Sequence, residues 1–226
     1  IVPTAELTAA GFPYLKLGRG YNRLSYAVVH WGYRTYRGVI DEFRRETLGI
    51  GSMPKSAGPL EMADGTPIPV LHAYSELVSP RPKDWPDHAH ITGYWFLDEG
   101  AGWQPPDDLA AFLRAGEPPV YAGFGSMAGR SPQKMAELVI EALQQAGVRG
   151  ILATGWGGLE AGSLPDTIFK LESAPHSWLF PQTAAVVHHG GAGTTAAGLR
   201  AGRPTIVCPV SYTHLRAHET VLDLVC

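Results

Sequence analysis

Along residues 24–43 apolar side chains return at Leu24, Val28, Trp31, Val39 and Phe43, with Arg34, Arg37, Glu42, Arg44 and Arg45 between them. That spacing is close to helical and predicts one long amphipathic helix with an apolar stripe. Leu48-Gly49-Ile50-Gly51 closes it with glycines, and the stretch to Pro69, rich in Gly, Pro and Ser, reads as a loop. Two short apolar runs, 70–74 and 91–95, read as a pair of strands.

The second half alternates differently. Pro105, Pro106, Pro118 and Pro119 bracket a short helical segment at 109–113, a composition that predicts an interdomain linker over 101–118 and a new domain after it. From there short apolar runs at 120–124, 151–153, 168–171, 184–187 and 205–208 read as strands. Between the first two, Ser131 is placed to cap a helix with Pro132 at its first position. Met135, Leu138, Val139, Ala142, Leu143 and Ala146 form an apolar stripe on it, and Gly147 stops it. A second helix is expected over 194–201, ended by Gly202 and Pro204. Strands alternating with helices in this way predict a doubly wound α/β domain with a parallel sheet.

Composition sets limits on this picture. With 45% hydrophobic and 17% charged residues among 226, the chain is apolar enough to build a substantial core. A net charge of −3 without a run of like charges gives no footprint for nucleic acid. No stretch is long and apolar enough to span a bilayer, and no basic-then-apolar signal opens the chain. Cys208 and Cys226 have neither metal-site nor disulfide spacing, which fits a reducing cytoplasm. The chain opens on Ile1 rather than methionine, and Ile1-Val2-Pro3-Thr4 reads as the middle of a loop, so the expectation is a fragment.

The chemistry concentrates in His188-His189-Gly190-Gly191-Ala192-Gly193-Thr194-Thr195, which follows a predicted strand and opens a predicted helix. Glycines let the backbone approach a ligand, and a helix start presents N–H groups with about half a unit of positive charge, so a diphosphate fits there. The two histidines add donors. The plain alternative is a glycine-rich turn with solvated histidines. Two other loops lie at the C-terminal ends of neighbouring strands, where open α/β sheets bind ligands. Gly123-Phe124-Gly125-Ser126-Met127 offers a hydroxyl and close backbone approach. Ser173-Ala174-Pro175-His176-Ser177-Trp178 offers an imidazole and an aromatic face. His176 stands evenly between a ligand contact and a loop hydrogen bond, and for Trp178 a place in the core is the better expectation.

Three segments occur in this order in a known family: Val120 through Met127; Ala174-Pro175-His176-Ser177-Trp178-Leu179-Phe180; and Val187 through Thr195 followed by Leu199-Arg200-Ala201-Gly202-Arg203-Pro204-Thr205. Together they resemble the sterol-type glucosyltransferases, inverting UDP-sugar transferases related to the glycopeptide and macrolide enzymes. Pro80-Arg81-Pro82-Lys83-Asp84-Trp85 and Thr92 through Asp98 resemble the same group upstream, so the match runs over about residues 1–210. The resemblance implies an α/β chain of GT-B type with two Rossmann-like domains, the N-terminal one incomplete. Residues 1–100 are the end of the acceptor-side domain, 101–118 the linker, and 119–210 the nucleotide-sugar-binding domain. Residues 211–226 resemble translated adaptor sequence and are set apart as a probable non-native tail.

Carried over residue by residue, the resemblance implies that Ser126, His188, Gly190, Gly191, Gly193 and Thr194 hold the donor diphosphate. It implies that Gly125, His176 and Trp178 border the nucleoside. It implies transfer of a hexose, glucose first, from a UDP-sugar co-substrate to a hydroxyl of a sterol or other lipid, with inversion and with neither metal nor cofactor, and no nucleic-acid partner. A cytoplasmic protein is implied, with peripheral membrane contact left open. In the family the general base is a histidine near the start of the N-terminal domain. No counterpart is found here, so the base is unassigned and the fragment alone is expected to be inactive. Two rival readings stand: a natural-product transferase of the macrolide or glycopeptide type, and a nucleotide-sugar-binding module without turnover.

Overall fold

A computed structural model describes residues 2–9, 12, 15–52, 60–62, 64–97, 102–125, 132–154 and 164–208. The chain divides into two compact units, Ile1–Trp95 and Phe96–Cys226.

In the first unit α1 (Arg19–Thr35) and α2 (Arg37–Glu46) replace the single helix expected over 24–43. Tyr36, at φ −86° and ψ −1°, separates them, and its N–H bonds back to Tyr33 O in a tighter turn. The buried face of α1 is also not the predicted one. Leu24, Val28 and Trp31 are 60%, 45% and 68% exposed, whereas Asn22, Ser25 and Tyr26 are buried. The reason lies in the segment 2–9, which α1 holds by polar side chains. Asn22 Nδ2 donates to Ala5 O at 2.9 Å, Ala9 N–H to Ser25 Oγ at 2.8 Å, and the Tyr26 hydroxyl to Thr8 O at 3.4 Å. Asp84 fastens the same segment by accepting from the Thr4 hydroxyl and the Ala5 N–H at 2.5 and 2.7 Å. Two short strands, β1 (Val70–His72) and β2 (Ala89–Ile91), pair in parallel, and the second begins two residues ahead of its expected place.

The second unit is built on a five-stranded parallel sheet in the order β5-β4-β3-β6-β7. The strands are β3 (Val120–Gly123), β4 (Gly150–Ala153), β5 (Ile168–Leu171), β6 (Ala185–His188) and β7 (Thr205–Val207). Alternating residues divide the core between the two faces, as the strand period requires. Ala122, Phe124 and Leu152 pack with Ala136 and Leu143 of α4 (Pro132–Gln145). Tyr121, Ile151 and Val186 pack on the other face with Leu109, Leu171, Leu179 and Phe180.

Two expectations change here. Leu109, fully buried, belongs to α3 (Asp107–Arg114), which lies in the core of the second unit with Phe112 and Leu113 beside it. The region read as a linker is therefore largely part of that domain, because the apolar residues between its prolines have a face to bury. On α4 the stripe is shifted: Leu138, Ala142 and Ala146 are exposed, and Met135, Ala136, Val139, Ile140 and Leu143 face the sheet. Ser131, proposed as the cap, lies outside the described residues.

Candidate functional site

The fold brings two loops together at one point of the sheet edge. After β3 the chain builds outward through β4 and β5, then crosses back to β6 on the other side. The crevice of an open α/β sheet lies at the C-terminal ends of the strands flanking that reversal, here β3 and β6. Their last residues, Gly123 and His188, are register partners.

Above β6 the chain turns at Gly190, whose φ of +89° suits glycine, and enters α6 (Ala192–Arg200). The helix starts two residues before the expected 194, with Gly191 as its N-cap. Its hydrogen-bond ladder begins with Thr195 N–H donating to Gly191 O at 2.9 Å. The N–H groups of Ala192, Gly193 and Thr194 therefore fall in the first turn, where the helix itself supplies no acceptor. Ala192 and Gly193 are exposed there, while Thr195 is buried and its hydroxyl also donates to Gly191 O, at 2.9 Å. Gly198 sets the height of the helix, since a Cβ on it would come within 2.6 Å of Thr205 Oγ1.

The two histidines part company at this loop. His188 is fully buried, and its Nδ1 accepts the Gly190 N–H at 2.9 Å. With Nδ1 accepting, the ring hydrogen sits on Nε2, and the imidazole braces the turn. His188, expected at the diphosphate, has no exposed surface here and holds the turn from beneath. His189 is half-buried and lies across Gly191, where a Cβ would come within 2.7 Å of His189 Nε2. Its Cε1 stands 3.6 Å from where a Cβ on Gly125 would be, so this ring spans the two loops. Sequence reading weighed His189 as a donor without assigning it to the site. The signal was the strand alternation: His188 is two residues beyond buried Val186 and shares its face, while His189 is the first residue past the strand.

Above β3, Phe124 anchors the loop in the core and Gly125 turns it at φ +54°. Ser126, expected opposite the diphosphate, lies outside the described residues. On the side of β5, His176 opens the short helix α5 (His176–Leu179). Its ring stacks on Phe180 with centroids 4.3 Å apart and meets Tyr121 edge-on at 5.9 Å. Burial holds its pKa below the ordinary histidine value. Trp178 packs edge-on against Trp103, centroids 4.8 Å apart, on the margin of the core cluster. Gly125, Gly190, Gly191, Gly193 and Thr194 thus belong to the two loops at the reversal, with His176 on the neighbouring loop. Trp178 is engaged with another tryptophan.

Comparison with known proteins adds the family. The chain is 43% identical over 216 residues to a sterol 3-beta-glucosyltransferase of Aspergillus clavatus, an alignment covering 89% of this chain and 15% of the relative. It is 40% identical over 215 residues to sterol 3-beta-glucosyltransferase UGT80A2 of Arabidopsis thaliana, covering 92% of this chain and 32% of that one. Residues 152–225 match the C-terminal domain of the erythromycin biosynthesis protein CIII-like family, a range that reaches into the tail set apart above. Among solved structures, the glycotransferase of kitacinnamycin superposes with a TM-score of 0.63 at 17% identity, covering 96% of this chain and 54% of that one, a likeness of fold. The chain therefore spans a minor part of the length of these sterol glucosyltransferases. Identity of this order along nearly all of its own length makes the chain homologous to a segment of the sterol 3-beta-glucosyltransferases, on a fold shared with solved glycosyltransferases.

Proposed function

We propose that this chain is the donor-binding part of an inverting glucosyltransferase that moves glucose from UDP-glucose to the hydroxyl of a sterol. The observation that carries the reading is the α6 start. Its first-turn N–H groups at Ala192, Gly193 and Thr194 open beside the β3 loop, where Gly123 and His188 are paired. Donors fixed in advance around a diphosphate stabilise the charge that grows as it leaves. In the transfer the acceptor oxygen forms a bond to the anomeric carbon as the bond from that carbon to the β-phosphate oxygen breaks. The acceptor's proton passes to a base that none of the residues assigned here supplies. The diphosphate leaves on the helix N–H groups, Thr194 and His189, with His188 holding the turn in shape. No metal enters the step. The sterol acceptor is taken from the relatives' names and the identity with them, and it is favoured over a natural-product acceptor for that reason.

Calorimetry with UDP tests the assignment. His189→Ala is expected to weaken UDP binding about tenfold to a hundredfold, the worth of one charge-assisted hydrogen bond, with the melting temperature little changed. His188→Ala is expected to lower both affinity and melting temperature, because it empties a buried site. A chelator is expected to leave the UDP affinity as it was. Wild-type affinity in His189→Ala removes the diphosphate role from that ring.

A further inference from the structure

Tyr121 and Gly123 are two residues apart on β3 and so address the same face of the sheet. A Cβ on Gly123 would lie 2.4 Å from the Tyr121 hydroxyl oxygen and 2.7 Å from Cζ. The phenol therefore runs along its own strand, across the space that glycine leaves, and carries its hydroxyl toward the C-terminal edge where the crevice opens. Its ring is held by Phe180, centroids 5.0 Å apart, and by the edge contact with His176 at 5.9 Å. The residue is 7% exposed. Among the described residues no hydrogen bond to its hydroxyl is formed. Burial of the ring pushes this phenol's pKa up to about 12, so the hydroxyl stays neutral and able to donate a hydrogen bond. A tyrosine in a core position that needed only the ring would be served by phenylalanine.

We infer that the Tyr121 hydroxyl is a further donor-site group, hydrogen-bonding the nucleoside half of a uridine diphosphate at the floor of the crevice. The nucleoside is the half it meets because its neighbour at that edge is His176, on the β5 side, whereas the diphosphate donors stand on α6, past β6. Gly123 acts with it as a positioning residue, its bare backbone being what lets the phenol reach the edge. The inference rests on the donor-binding reading above.

The test is calorimetry of the full chain with UDP, UMP and inorganic pyrophosphate. Tyr121→Phe keeps the ring and removes one oxygen, so the fold is retained. UDP and UMP are expected to bind about fivefold more weakly, one neutral hydrogen bond, while pyrophosphate binds as before. The melting temperature is expected to stay or rise, which separates a ligand contact from a structural one. Gly123→Ala, which drives the phenol aside, is expected to cost UDP at least as much as Tyr121→Phe. Unchanged UDP and UMP affinity in Tyr121→Phe overturns the inference while the donor-binding reading stands. A wild-type chain that binds no UDP overturns both.

Discussion

Each of the two units is stabilised internally by its own kind of contact. In the second, Leu109, Ile151, Leu152, Leu179, Phe180 and Val186 are fully buried on the two faces of one sheet. In the first, α1 turns Asn22, Ser25 and Tyr26 inward and no residue of α2 is buried, and the small apolar residues buried on segment 2–9, Val2, Ala5 and Ala9, are accompanied by hydrogen bonds between α1 and Ala5, Ala9 and Thr8. Apolar burial stabilises in proportion to area and is not directional. Hydrogen bonds each add little net stability but fix a geometry. The comparison teaches that the unit bearing the candidate donor site carries its own core, whereas the described part of the first unit is ordered by specific polar ties, with Leu24, Val28, Trp31, Val39 and Phe43 facing outward.

The contrast is broken most forcefully by paired truncations. Leu109→Ala is expected to destabilise the second unit by about 2–5 kcal/mol, the range for a large buried aliphatic side chain. Leu24→Ala is expected to change the first by no more than about 0.5 kcal/mol. Urea denaturation followed by amide exchange in each unit measures both. A large loss at Leu24 would mean that the outward face of α1 is covered by something in solution.

A smaller effect sharpens the polar side of the comparison. The Thr4 hydroxyl, and after it the Ala5 N–H, hold the Asp84 carboxyl below the ordinary value of 3.8, with Arg23 3.8 Å away. A carboxylate whose native pKa is depressed stabilises fully above the unfolded value, and that contribution is lost as pH falls through the native one. Asp84→Asn leaves one acceptor for two donors. It is expected to speed exchange of the Ala5 amide roughly five- to tenfold at neutral pH, and the wild type is expected to show the same loosening only in acid below pH 3.8. Equal Ala5 exchange in both at pH 7 would make the Asp84 contacts incidental.

The second unit was legible in the sequence because its strands and glycine stops obey local rules. The 168–171 run is β5 without correction, and Gly147, at φ +65°, closes the turn after α4 as expected. The first unit was legible in element type but not in orientation. Periodicity identifies a helix and its two faces, and only tertiary partners decide which face is covered. On α1 those partners were the backbone groups of segment 2–9, whose need for Asn22 and Ser25 leaves no periodic trace. At the site, the glycine loop and its place after β6 were readable from residue order. The division of labour between His188 and His189 was carried by the strand alternation but needed the strand's end to be placed at His188, which the run read as 184–187 put one residue early.

The least effect expected is a pH dependence centred on His176. Burial against Phe180 and Tyr121 disfavours its imidazolium, so the native ring stays neutral below the ordinary value of 6.5, at which the unfolded ring takes a proton. Between those two values the unfolded state binds more protons, and stability therefore falls as pH drops from about 6.5 and levels off below the native pKa. Above 6.5 the group contributes no slope. The effect is modest because the ring keeps partial access to solvent. Trp103 and Trp178, in edge contact within the same unit, provide a fluorescence signal for urea midpoints between about pH 7.5 and 5.5. His176→Gln is expected to flatten the midpoint across that range relative to wild type. An unchanged slope would place the titrating group elsewhere and leave His176 as a packing residue whose charge state has no bearing on the fold.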